Sequence, residues 1–119
     1  RAMLRDEPLP QNGDGEQTRD YTFNRDAVQA TILAADAPPG SIINIGGGSR
    51  VTITQVLGTL EELVGRRANV ERQGKQAGDV RHTWADTTAA QEVMGFAPQV
   101  ALHEGLAAEV TWLRERLQS

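Results

Sequence analysis

Residues 53–64 carry apolar side chains at Ile53, Val56, Leu57, Leu60, Leu63 and Val64, a spacing that places them along one side of an α-helix. Thr52 and Gln55 precede this stripe as a capping box, in which the threonine oxygen and the glutamine side chain satisfy early helix donors. Gly65 closes it as a left-handed cap. Leu102, Leu106, Val110, Leu113 and Leu117 predict a second amphipathic helix. Asp26 opens a helix to about Ala37, with Val28, Ile32 and Ala35 on one face and Pro38-Pro39-Gly40 as its stop. Asp86 caps a short helix through about Met94, ended by Gly95 and Pro98. Three strands are expected: residues 19–23 from their alternation, 42–46 as a buried β-branched run, and 69–73 as an edge strand. Residues 6–18, with two prolines and two glycines, read as turns. Residues 1–5 read as the end of a helix cut midway, so a fragment of a longer protein is expected.

Helices alternating with short strands imply an α/β or α+β layer, and 119 residues allow one domain. A hydrophobic content of 39% sits in the globular range, so wholesale disorder is not expected. The absence of cysteine removes disulfides, thiolate metal sites and cysteine nucleophiles. With no apolar run long enough to span a bilayer and no signal-peptide pattern, no membrane association and a cytoplasmic location are expected. Twelve Lys and Arg against sixteen Asp and Glu, a net charge of −4, argue against nucleic acid as a partner. The charge is uneven: Arg66, Arg67, Arg72, Lys75 and Arg81 crowd residues 66–81 beside only Glu71 and Asp79. This is a solvated positive face or a place to hold a small anion.

Several motifs fail on spacing. Gly46-Gly47-Gly48 follows the expected strand at 42–46, but a dinucleotide fingerprint would need a small residue at 51, which is Val51. A turn requiring positive φ explains these glycines better. Residues 12–16 resemble the start of a calcium loop, yet its sixth and twelfth positions would be Gln17 and Phe23. His82 and His103 lack metal-site spacing, and no serine stands in a nucleophile-elbow context.

Two polar stretches remain. Residues 13–23 (GDGEQTRDYTF) deliver an arginine, an acid and an aromatic onto a short strand, and residues 73–86 (QGKQAGDVRHTWAD) form a glycine-bearing loop ending at a helix cap. Guanidinium binds phosphate in forked geometry and carboxylate accepts sugar hydroxyls, so such loops suit a diphosphate and a ribose. These stretches, with INIGGG, the capped helix, GFAP and HEGL, resemble in order the extended short-chain dehydrogenase/reductases, in particular the NAD-dependent nucleotide-sugar epimerase/dehydratases of the UDP-glucose and UDP-glucuronate 4-epimerase kind.

The resemblance implies that residues 1–119 are a C-terminal substrate-binding lobe, with the N-terminal Rossmann half, its NAD loop and its catalytic Tyr-x-x-x-Lys pair lying outside the chain. The only tyrosine is Tyr21, and position 25 is Arg25. By the resemblance Arg19 contacts the diphosphate, Tyr21 is the accompanying aromatic, and Asp79 contacts the ribose. Where many members carry arginine two residues before the Gly-Asp pair, this chain has Gln76, with Lys75 and Arg81 nearby to supply charge. Asn24 and Arg25 also depart from the family pattern ahead of Asp26. The expected ligand is a UDP-sugar, no cofactor or metal is expected in the chain itself, and NAD is implied for the longer enzyme. The implied reaction is 4-epimerisation through transient oxidation at C4, with the fragment alone not catalytic. A 4,6-dehydratase, a decarboxylase, a stand-alone nucleotide-binding or regulatory module and a purely structural fragment are the alternatives. Self-association is expected if the Val28/Ile32/Ala35 face is left uncovered.

Overall fold

The capping box forms as its residues require. In the computed structural model, which describes residues 1–118, the Thr52 hydroxyl oxygen accepts from the Gln55 backbone N–H at 3.1 Å, and the Gln55 side-chain oxygen accepts from Thr52 N–H at 2.8 Å. Thr52→Ala removes one of these bonds and should cost about 1 kcal/mol, a fall of roughly 3–5 °C in Tm. A melting curve within 1 °C of wild type would contradict it.

The element order is α1 (Ala2–Arg5), β1 (Leu9–Asn12), β2 (Thr18–Asp20), α2 (Asn24–Leu33), a 3-10 turn (Ala34–Asp36), β3 (Arg50–Thr52), α3 (Ile53–Val64), β4 (Val70–Gln73), α4 (Thr88–Met94) and α5 (Leu102–Gln118). The strands form two small sheets: β1 runs parallel to β4, with Leu9 opposite Val70, and β2 runs antiparallel to β3, with Arg19 opposite Val51. This is the mixed α/β arrangement that the sequence pattern predicts.

α3 packs on α5, and Val56 of α3, Val110 of α5 and Met3 of α1 are buried. A cavity of about 130 Å³ remains between these elements, lined by Met3, Leu9, Leu60, Val64, Leu106 and Leu113. Gly65 ends α3 at φ 81°, and Arg114 of α5 donates through Nη2 to the Leu63 and Val64 carbonyls at 3.0 and 3.2 Å. The orphan carbonyls of one helix are thus met by a side chain of its neighbour. A second apolar cluster joins Ala30 of α2, Ala90 of α4 and Phe96, with Leu33, Ile43, Ile45 and Met94 packed around it. The molecule is a slab, 48 × 38 × 19 Å along its principal axes. Its radius of gyration, 16.7 Å, exceeds the roughly 13.5 Å of a rounded domain of this length.

Four expectations are corrected. Residues 9–12, read as turn, form β1, because β4 supplies a ladder that the local prolines do not forbid at an edge. Residues 42–46 are not a strand: no partner pairs with them, Ile42 is 95% exposed, and only Ile43 and Ile45 turn toward the Phe96 cluster. The shared face of Val28 and Ile32 is no correction: it lies uncovered on the open side of α2, whose buried positions are Asp26 and Ala30. Asp26 caps nothing; α2 starts at Asn24 without a side-chain cap, and the Asp26 carboxylate serves another segment instead. The strand expected at 19–23 covers Thr18–Asp20 only.

Two smaller shifts concern α4 and the glycine triplet. Asp86 accepts from the backbone and hydroxyl of Thr88 at 3.0 and 2.7 Å, while Thr87 occupies the cap position. Those bonds, the hydroxyl's first, hold the Asp86 carboxyl below its ordinary pKa. Only Gly48 of the triplet has positive φ, 76°. Gly46 and Gly47 are needed for close approach: a Cβ on Gly47 would overlap the Tyr21 carbonyl, and one on Gly46 would overlap the Asp20 carboxylate. Among the described residues no helix is long and apolar enough to cross a membrane.

Candidate functional site: an arginine–aspartate pair

β2 carries the first polar stretch and is flanked on both sides. One side pairs with β3; on the other, Thr18 N–H donates to the Arg81 carbonyl at 2.9 Å and Thr83 N–H donates to the Thr18 carbonyl at 3.2 Å. A parallel bridge between Thr18 and His82 results, reinforced by a 2.9 Å bond between the Thr18 hydroxyl and His82 Nδ1. The second polar stretch, read from the sequence as loop, is therefore docked beside β2 at residues 81–83.

This docking brings Arg19 and Asp79 together from sixty positions apart, with Arg19 Nη2 donating to Asp79 Oδ1 at 2.6 Å. Both side chains are 28% exposed, so the pair is partly shielded. Arg19 Nη1 also donates to the Thr18 carbonyl at 2.8 Å and the Arg81 carbonyl at 3.4 Å. The guanidinium is thus gripped by main-chain carbonyls of both segments, with Nε and a second Nη2 hydrogen left for another acceptor.

The other candidates surround this pair unevenly. Arg81 reaches the Asp14 carboxylate at 3.4 Å, while Asn12 Nδ2 donates to Gln76 Oε1 at 3.1 Å. These two contacts tie the 74–81 loop to the turn after β1. The Glu16 backbone N–H holds the Asp14 carboxyl below its usual range; desolvation opposes it, and the Arg81 charge adds to the lowering. Lys75 is exposed on the loop and is not drawn into the Arg19–Asp79 cluster. Tyr21 is half-buried, which pushes its hydroxyl up, with the Arg19 charge working against the shift. It lines a small hollow of about 100 Å³ with Phe23, Leu102 and Leu106. Among the described residues no group of three His, Asp or Glu side chains is placed to hold a metal ion.

Two features have no signal in the sequence pattern. Asp20, which the sequence marks only as an acid on the strand, clamps the glycine triplet to β2: its Oδ1 accepts from Gly47 N–H at 2.8 Å and its Oδ2 from Ala85 N–H at 3.4 Å. Beside it an open hollow of about 310 Å³ is lined by Asp20, Asn44, Gly46, Thr83, Trp84 and Asp86. The exposed Trp84 ring there lies 5.6 Å beneath the Arg50 guanidinium. No local pattern announces either arrangement, because each joins segments more than twenty residues apart.

The chain is similar to known proteins over nearly its whole length. Residues 1–46 match the NAD dependent epimerase/dehydratase family. The chain is 34% identical over 117 residues to a UDP-glucuronate 4-epimerase of Thermodesulfobacterium geofontis, covering 98% of the chain and 36% of the relative. It is 31% identical over 114 residues to UDP-glucuronic acid decarboxylase 2 of Arabidopsis thaliana, covering 96% of the chain and 26% of the relative. Its fold matches UDP-glucuronic acid 4-epimerase from Bacillus cereus, solved in complex with UDP-glucuronic acid and NAD, with a TM-score of 0.90 and 34% identity over 97% of the chain and 38% of that structure. The chain spans little more than a third of the epimerase relatives it matches. Sequence likeness and shared fold together match the chain to a part of the extended short-chain dehydrogenase/reductases of the NAD-dependent epimerase/dehydratase family.

Proposed function

We propose that residues 1–119 are the substrate-binding lobe of an NAD-dependent UDP-sugar 4-epimerase, lying C-terminal to a Rossmann half, and that they hold the nucleotide end of the substrate. The observation that carries this reading is the juxtaposition of Arg19 with Asp79, one cation and one anion brought to the same end of β2 from the two polar stretches. Arg19 binds the diphosphate, and Asp79 accepts from the ribose hydroxyls. Arg81, Gln76 and Lys75 border the path of the phosphates, and Tyr21 supports the strand behind Arg19. NAD, bound outside this chain, supplies transient hydride acceptance at C4 of the sugar. The lobe contributes binding energy remote from the reacting carbon, which sets the sugar in register for that chemistry. The likeness to a decarboxylase leaves this role unchanged, since both relatives are named for UDP-linked uronic acids.

Titration of the chain with UDP and with uridine tests the reading. Arg19→Ala removes a charge-assisted contact and leaves the Asp79 carboxylate facing the diphosphate, so UDP binding should weaken about tenfold or more. Uridine, which has no phosphate, should change little. If the variant lowers Tm but leaves the ratio of UDP to uridine affinity unchanged, Arg19 is a structural ion pair and the reading fails.

A further inference from the structure

The Arg19–Asp79 contact has a consequence for selectivity that follows from its geometry. Arg19 Nη2 and Asp79 Oδ1 occupy each other at 2.6 Å, which sets the carboxylate against the guanidinium. Resting on the assignment proposed above, we infer that this ion pair is a specificity gate, released at little cost only by a ligand that offers an anion and a vicinal diol in one molecule. A nucleoside diphosphate gives Arg19 a new acceptor and Asp79 new donors together. Inorganic pyrophosphate takes Arg19 and strands the carboxylate beside a second negative charge. Uridine takes Asp79 and strands the guanidinium.

The structure also says which partner moves. Arg19 is fixed by the Thr18 and Arg81 carbonyls on two paired segments. Asp79 follows Gly78, which has φ +84°, in a loop whose residues 74–78 are all exposed. Its backbone is held by one turn bond, Asp79 N–H to the Gln76 carbonyl at 3.2 Å. Asp79 therefore swings off Arg19, while the Asn12–Gln76 and Asp14–Arg81 contacts keep the loop ends in place.

Calorimetric titration of the full chain with pyrophosphate, uridine and UDP decides the matter, using wild type, Asp79→Asn and Asp79→Glu. Asp79→Asn removes the competing charge with little change of size, so pyrophosphate binding should tighten about fivefold or more. Uridine binding should weaken, and UDP should change less than either. Asp79→Glu keeps the charge and should give no gain for pyrophosphate. Asp79→Ala serves as a second neutral variant should the asparagine form not melt cooperatively. Pyrophosphate affinity unchanged or lowered in the neutral variants, absence of detectable binding included, overturns the gate. That result leaves the assignment standing if Arg19→Ala still selectively weakens UDP. An Arg19→Ala variant with unaltered UDP binding removes the assignment itself.

Discussion

Gly47→Ala should abolish or severely weaken the native fold. A Cβ at this position would coincide with the Tyr21 carbonyl oxygen and come within 3.1 Å of Asp20 Oδ1. The obstacle is backbone, which no rotamer change can clear, so the 46–48 segment must back away from β2. Doing so breaks the Gly47 N–H bond to Asp20 and loosens the hold of Asp20 on Ala85. Overpacking commonly costs about 1–3 kcal/mol, and with a lost charge-assisted bond the total should reach about 3 kcal/mol or more. That is a large share of the about 5–15 kcal/mol that holds a domain together. Gly58→Ala is the contrasting change: it lies in α3 with nothing within 4 Å of its Cβ position and should stabilise by about 0.5–1 kcal/mol. Urea unfolding of both variants measures the difference, and a Gly47→Ala protein within about 0.5 kcal/mol of wild type would refute the close approach.

Asp26→Ala should cost about 3–5 kcal/mol, since two main-chain donors, one buried and one partly buried, lose a charged acceptor at once. Asp26 is 3% exposed, and its Oδ2 accepts from Gln99 N–H at 3.1 Å and Val100 N–H at 3.0 Å. These bonds pin the segment between α4 and α5 to the first turn of α2, where the negative charge also suits the helix dipole. The segment carries Phe96 and Val100, both buried, so releasing it exposes part of the core as well. Asp26→Asn keeps an acceptor of the same shape and should lose much less. Denaturant midpoints rank the two variants; an alanine variant no worse than the asparagine one would mean that the paired bonds contribute nothing.

Helices with strong local signals are legible in the residues alone. The Thr52–Gln55 box, the α3 stripe, the glycines after α3 and α4, and the α5 stripe depend on residues within a turn or two of one another, so neighbouring positions suffice to specify them. The candidate residues of the site are legible as types: a guanidinium on a short strand and a carboxylate in a glycine-bearing loop are suited to a diphosphate and a ribose wherever they stand. Strand identity is not local in this way. Leu9–Asn12 became a strand because Val70–Gln73 lies alongside it, and the more apolar 42–46 run did not, because nothing pairs with it. Burial on α2 followed the same rule, falling on Asp26 and Ala30 where α4 and the 96–100 segment approach, and leaving Val28 and Ile32 outside. The Arg19–Asp79 pair was decided by the bridge between Thr18 and His82, a main-chain contact across sixty-four positions. Sequence by itself determined which short segments coil, through interactions among near neighbours, and which side chains are of a type suited to the proposed chemistry. Tertiary structure decided which extended segments found partners and which charges met, because a strand's hydrogen bonds and a side chain's burial are completed only by residues far away along the chain.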